Sequence, residues 1–115
     1  MNIRRVKDVA ILAPRGWLMG GDETDEFEQT IRQLIQEGNR RLIIDLGDVA
    51  MMSSTALGVC AGCRASYANR QGRVVLCNVD KKIWNIFVIT KLALLFDTYQ
   101  SEREALAALD QSTLV

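Results

Sequence analysis

Two short apolar runs constrain the fold of this chain most, at residues 41–46 and 73–78. Each lies between segments whose apolar residues recur every three or four positions, as in a helix. A run of this length in this setting is typical of a strand that is covered on both faces. The sequence therefore predicts an α/β fold, in which a small mixed sheet of four or five strands is covered by about four helices.

Turn and capping residues predict the remaining elements. Residues 3–6 and 9–13, separated by Lys7 and Asp8, predict a hairpin. Asp22 or Thr24 can cap a first helix that ends at Gly38–Asn39, and further helices are expected at 54–69, at 81–90 and after Ser101. Thr98 and Tyr99 predict a short edge strand. We expect one domain over 1–110 and a frayed tail at 111–115.

Composition excludes several classes of function. The 14 basic and 14 acidic residues balance, which argues against nucleic acid as the main partner. The chain has no histidine, so histidine triads and zinc-hydrolase motifs are excluded, and no metal or other cofactor is expected. No apolar stretch approaches the roughly 20 residues that a membrane span needs. We expect a cytoplasmic protein that does not insert into membranes.

Three successive hydroxyl residues, Ser53, Ser54 and Thr55, join a buried strand to a helix. Ser53 or Ser54 can cap this helix, because unpaired backbone N–H groups and a partial positive charge are found at a helix N-terminus. The same features also accommodate a phosphate, so a phosphoserine could form here without unfolding the helix.

The residues around this hydroxyl run resemble the motif of the STAS domains, in particular that of the bacterial anti-sigma factor antagonists. The positions that match are Asp45, Leu46, Val49, Met52, Ser54, Thr55, Leu57 and Gly58. Downstream, residues 72–78 look like the family's glycine-led strand, and 89–92 with Phe96 look like its Leu-Thr-Gly-Leu segment. The order of elements agrees from Ile3 to Leu109.

The resemblance implies a regulatory protein without catalytic residues. In that family the serine that matches Ser54 is phosphorylated by a partner that is both serine kinase and anti-sigma factor, and a serine phosphatase reverses the modification. Ser54 is thus the predicted phosphorylation site, with Ser53 and Thr55 as neighbouring candidates. The predicted partner surface comprises Trp17, Leu18, Met19, Ser53, Ser54, Thr55, Ala56 and Leu57. A second copy of the chain is a further candidate partner.

Three residues depart from the family pattern. Ser53 replaces the aspartate that usually precedes the phosphorylated serine, Ala56 replaces a glycine, and Lys91 replaces another glycine. Alanine at position 56 matters if its φ is positive or if a partner packs closely there. The changes at Ser53 and Ala56 favour an alternative in which the domain is a scaffold or interaction subunit of a larger regulatory or transport assembly and Ser54 is not phosphorylated, whereas the intact Ser54-Thr55 pair favours the phosphorylation switch.

Cys60 and Cys63 have the spacing of a redox dithiol, which keeps a thiol enzyme open as a third hypothesis. Two observations weigh against it. Thiol oxidoreductases generally have the first cysteine at a helix N-terminus, whereas Cys60 lies nearly two turns inside the predicted helix. A cis-proline downstream of the thiols is also impossible here, because the single proline, Pro14, lies upstream. Cysteine also behaves as a small apolar residue in closely packed helices.

Overall fold

The computed structural model describes residues 1–111, with side chains to residue 110. In this part the chain forms β1 (Asn2–Val6), β2 (Val9–Ala13), β3 (Gly16–Leu18), α1 (Asp22–Gln36), β4 (Arg41–Asp45), β5 (Val49–Met52), α2 (Ser54–Asn69), β6 (Arg73–Cys77), α3 (Lys81–Ile89), a 3-10 turn (Leu92–Leu95), β7 (Thr98–Tyr99) and α4 (Glu102–Gln111).

The central sheet is mixed and has the strand order β1-β2-β4-β6-β7. β1 pairs antiparallel with β2, and the other neighbours pair in parallel. The two apolar runs form the middle of this sheet, where Ile43 is paired with Ile11 on one side and with Val75 on the other. All three side chains are buried, because helices cover both faces. The predicted mixed sheet and four helices are confirmed.

The two faces of the sheet have separate cores. Helices α1, α2 and α3 pack on one face, where Phe27, Cys60 and Phe87 are buried. Helix α4 packs on the other face through Ala105 and Leu109. The three-layer arrangement follows from the alternation of side chains along each strand, which gives each helix layer its own set of apolar residues.

A second, two-stranded parallel sheet of β3 and β5 was not predicted from the sequence. Trp17 is paired with Met51 and Leu18 with Met52, with a register irregularity after Gly16. The two strands have only three and four residues, so neither shows a clear alternation of its own. This small sheet connects the segment after β2 to the residues that lead into α2.

The predicted cap of α1 was wrong. The N-cap is Gly21, which makes no side-chain cap, and Asp22 is the first helical residue. The buried Thr24 hydroxyl accepts a hydrogen bond from the Gly20 N–H at 2.9 Å and so holds the turn before the helix. At the other end Gly38, with φ +85°, follows the last turn as predicted.

Gly72 allows close contact of three segments. A Cβ at this position would lie 2.6 Å from the carbonyl oxygen of Arg40 and 3.1 Å from that of Tyr67. A side chain would therefore collide with backbone, which explains a glycine at the entry to β6.

Of the predicted tail, Gln111 is the last residue of α4 and 112–115 lie outside the described residues. Among the helices that the structure describes, none combines the length and the apolar character that crossing a membrane requires.

Candidate functional site

Ser53 and Ser54 have different roles at the start of α2. Ser53 has extended backbone angles (φ −88°, ψ 172°), and its Oγ accepts a hydrogen bond from the Ala56 N–H at 3.3 Å. Of the two residues that the sequence predicts as caps, Ser53 and Ser54, Ser53 is the N-cap. Its own N–H donates to the carbonyl oxygen of Leu18 at 2.8 Å, which ties the cap to β3.

Ser54 is the first residue of the helix, and its side chain is exposed, as is that of Thr55. Because Ser53 makes the cap, helix capping does not depend on the Ser54 hydroxyl. The first turn of α2 contains no acidic residue. The local field is therefore that of a helix N-terminus, which favours a negative group at Ser54.

The Trp17–Met19 segment lies beside these hydroxyl groups. Because side chains alternate along a strand, Trp17 of β3 points outward and is 61% exposed, and Met19, in the bend after β3, is 52% exposed. Beyond them, a Cβ at Gly20 would lie 3.7 Å from Thr55 Oγ1. The structure thus brings together two segments that are more than 30 residues apart in the sequence, and it leaves Trp17, Met19, Ser54 and Thr55 accessible.

Three residues of the predicted partner surface are buried, and their prediction needs correction. Leu18 is the inward residue of β3, and Ala56 and Leu57 lie on the face of α2 that packs on the sheet. Their side chains belong to the core around Phe27 and Cys60. These three side chains pack in the core beneath the exposed residues of the site and do not offer side-chain area to a partner. Ser53 is half-buried.

Most residues that match the family motif have structural roles. Leu46, Val49, Met52 and Leu57 are buried. Asp45 accepts hydrogen bonds from the Gly47 N–H at 2.9 Å and from the side-chain amide of Asn78 at 3.1 Å. The motif therefore specifies the turn and the core that place the hydroxyl residues at the surface.

The structure accounts for two of the departures from the motif. Ala56 is helical and fully buried, so this position does not need the conformational freedom of glycine. Lys91 follows the C-cap of α3 and has a left-handed conformation with φ 65°. Glycine adopts that conformation without the steric cost of a Cβ, so Lys91 holds it at an energetic cost.

The cysteine pair does not form a reactive thiol site. Cys60, Cys63 and Cys77 are reduced and buried. Burial raises the pKa of Cys60 above its ordinary value, with a further contribution from Cys63, and raises that of Cys63 to about 12. At neutral pH these thiols stay protonated, whereas a redox dithiol needs an accessible thiolate.

The cavities of the described residues lie elsewhere. One cavity of about 550 Å³ is lined by Asn78, Val79, Thr98, Tyr99, Gln100 and Glu104 at the carboxyl ends of β6 and β7. The residues with described side chains contain no cluster of three or more metal-ligating groups. The hydroxyl residues at the start of α2 form a surface site and not a pocket.

Comparison with known proteins defines the class of this fold and site. A family model for the STAS domain matches residues 1–105, and the chain belongs to this family. It is 26% identical over 101 residues to BtrV of Bordetella bronchiseptica strain RB50, which is named as a candidate anti-sigma factor antagonist. The match covers 88% of this chain and 87% of BtrV.

Solved structures of anti-sigma factor antagonists share the fold. A candidate antagonist from Thermotoga maritima superposes with a TM-score of 0.86 at 23% identity, over 93% of this chain and 92% of that one. The Bacillus protein SpoIIAA in its phosphorylated form gives a TM-score of 0.75 at 17% identity, over 94% and 97% of the two chains. The chain thus has the STAS fold that these structures share.

Proposed function

We propose that this chain acts in the cytoplasm as an anti-sigma factor antagonist that is switched by phosphorylation of Ser54. Its partner is an anti-sigma factor that is also a serine kinase, and a serine phosphatase removes the phosphate. The chain itself is not an enzyme, takes no cofactor and does not contact nucleic acid. It acts by forming and releasing a protein complex.

The observation that carries this proposal is the division of roles between Ser53 and Ser54. Phosphorylation of a capping hydroxyl would disturb the helix, but here the cap is Ser53 and the exposed hydroxyl is Ser54. A phosphate on Ser54 would add about two negative charges at the positive end of α2. The domain can therefore carry either state of Ser54 without refolding.

The surroundings of Ser54 explain how a phosphate would release a partner. Trp17 and Met19 supply exposed apolar area beside Ser54 and Thr55. In a complex, an apolar contact of this kind excludes water from the Ser54 hydroxyl. A doubly charged group placed there would have to lose its hydration, and the cost can exceed the few kcal/mol that separate bound from free protein.

The named relatives are consistent with this proposal. BtrV is named as a candidate anti-sigma factor antagonist, and the SpoIIAA structure is described as a phosphorylated form. Both comparisons extend over most of this chain, and Ser54 lies within the residues that the STAS family model matches.

A scaffold without phosphorylation is the second candidate function. Ser53 favours the scaffold function. It caps α2, and it places an uncharged hydroxyl where the family motif usually has an aspartate. A kinase that recognises its substrate through that aspartate would phosphorylate Ser54 of this chain poorly. In this case the same surface would hold a constant partner in a larger regulatory or transport assembly.

Mass spectrometry of the protein purified from its own cells tests the phosphorylation. We expect a phosphate on the peptide that contains Ser54, and we expect it to be absent from a Ser54→Ala variant. Thr55→Ala is the matched control, because it removes the adjacent exposed hydroxyl and should keep the phosphate. Growth and stress conditions are both sampled.

Affinity capture with Ser54→Asp and Ser54→Asn variants tests the switch. Both side chains have the same size, and only aspartate adds a negative charge. We expect the Asn variant to retain the partner kinase and the Asp variant to lose it. Unmodified Ser54 under all conditions, together with normal binding by the Asp variant, would reject the switch and favour the scaffold.

A further inference from the structure

An exposed apolar surface lies at the end of α3 and on the turn that follows it. Ile89 and Leu94 are 79% and 86% exposed, and Val88 and Leu95 are exposed beside them in the sequence. Four large aliphatic side chains within eight residues are more than the scattered apolar residues of an ordinary surface. We call these four residues the α3 surface.

Positive charge predominates around the α3 surface, where the acidic Asp97, close to Leu95, is paired with Arg73 at 2.8 Å. Residues 81–96 contain Lys81, Lys82 and Lys91, all exposed, and no acidic residue. The exposed face of α3 thus changes from lysine at its start to aliphatic at its end. A complementary surface would be both apolar and acidic.

The same molecule carries such a surface. Trp17 and Met19 are exposed, and the next exposed side chains along the chain include Asp22, Glu23 and Asp25. Residues 16–31 contain five acidic residues and no basic one. We call Trp17, Met19 and the acidic first turn of α1 the α1 surface.

We propose that two copies of this chain bind head to tail, with the α3 surface of one copy against the α1 surface of the other. Burial of the aliphatic and aromatic side chains supplies the favourable free energy, and the opposite charges set the orientation. The chain is neutral as a whole, so copies do not repel each other through net charge. Three basic residues lie within residues 81–96, and five acidic residues lie within residues 16–31, which follow the basic Arg15, so the two segments carry net charges of opposite sign.

This contact would cover the surface that we assign to the partner kinase. Gly20 borders Thr55, so a copy seated on Trp17 and Met19 also restricts access to the start of α2. Self-association and partner binding would therefore compete. The contact itself does not require phosphorylation of Ser54, and it is tested with the unmodified protein.

Sedimentation of the purified chain tests the proposal. A contact between four aliphatic residues on one copy and two apolar residues on the other is expected to be weak. The protein concentration is therefore raised from about 10 μM to about 1 mM. We expect a rise in average mass with concentration that weakens as salt is added, because salt screens the charge attraction. A chain that stays monomeric throughout would overturn the proposal.

Two double variants locate the contact. Ile89→Ser/Leu94→Ser removes apolar area from the α3 surface, and Trp17→Ser/Met19→Ser does so for the α1 surface. All four positions are exposed, so the fold should persist, as checked by circular dichroism. Each variant alone should be monomeric where the parent associates. The matched control is Ile3→Ser/Val6→Ser, which removes exposed apolar area from β1 and should associate like the parent.

Mixing the two defective variants tests the head-to-tail arrangement. Each variant retains one intact surface, so the mixture should form a dimer with one copy of each. Defective variants whose mixture stays monomeric would overturn the pairing of unlike surfaces. Association that neither variant weakens, or a monomeric parent that instead binds vesicles of anionic lipid through the α3 surface, would also overturn it.

Discussion

The backbone N–H of Ser53 donates a hydrogen bond to the carbonyl oxygen of Leu18 at 2.8 Å. This bond continues the pairing of β3 with β5 to the residue that caps α2. Trp17, the outward residue of β3, and the exposed hydroxyl groups of α2 are therefore held in one arrangement. A partner that contacts Trp17 will also be close to Ser54.

Loss of the Ser53 hydroxyl should destabilise the protein. In Ser53→Ala the Ala56 N–H loses its side-chain acceptor, and removal of an N-cap costs about 1 kcal/mol. We expect the midpoint of urea unfolding to fall accordingly with little change in slope. Ser53→Asp, which restores the family residue, should retain wild-type stability because aspartate is an equally good cap.

Ser54→Ala is the internal control for the Ser53 variant. Its hydroxyl is exposed and does not cap the helix, so the free energy of unfolding should change by less than about 0.5 kcal/mol. Equal losses in both alanine variants would contradict the separate roles that we assign to the two serines.

Replacement of Lys91 by glycine should stabilise the fold. Lys91 has φ 65°, and a left-handed residue with a Cβ costs roughly 1–2 kcal/mol, part of which glycine offsets by its greater freedom in the unfolded chain. We expect a net gain of about 1 kcal/mol by urea unfolding. Lys91→Ala removes the same charge and keeps the Cβ, so it should show no gain. A gain of equal size in both variants would instead point to the charge.

The three thiols should be inert in the native protein. Burial raises the pKa of Cys63 and of Cys77 to about 12, and that of Cys60 is also raised. We expect Ellman's reagent at neutral pH to label all three thiols in urea and to label the folded protein only at the rate of unfolding. Rapid native labelling of Cys60 or Cys63 would revive the redox hypothesis.

The Glu102 carboxyl group should make stability depend on pH. Its pKa is raised above 4.5, mainly by a hydrogen bond with Asp45 and then by burial, although the ion pair with Arg4 opposes the shift. Because the folded state holds the proton more tightly, this contribution is present below the pKa of the unfolded chain. It is lost as the pH rises through the higher pKa of the folded state.

Comparison with Glu102→Gln isolates this contribution. We expect the free energy of unfolding of the parent, relative to that of the variant, to decrease as the pH rises from below the ordinary carboxyl pKa through the raised pKa of the folded state. A difference that stays constant with pH would show that the ion pair with Arg4 cancels the effects of Asp45 and burial, and one that increases with pH would show that the ion pair outweighs them; either result would contradict this prediction.

Local patterns in the sequence predicted the four helices and the strands of the central sheet in their order along the chain. Apolar residues every three or four positions predicted the helices, and runs such as that around Ile43 predicted the central strands, because a covered strand needs apolar residues on both faces. The hydroxyl residues before α2 marked the helix start, since capping uses residues adjacent in the chain. The position of the candidate site could therefore be predicted from residues that are adjacent in the sequence.

Only the tertiary structure decided which residues of that site face outward. Leu18 is buried and Trp17 exposed because β3 pairs with β5, a contact between segments about 34 residues apart in the sequence. Ser53, and not Ser54, became the cap because the same contact holds its backbone extended. Local patterns do not contain such long-range pairing, and so the sequence predicted the hydroxyl run without separating the residue that caps from the residue that is free to react.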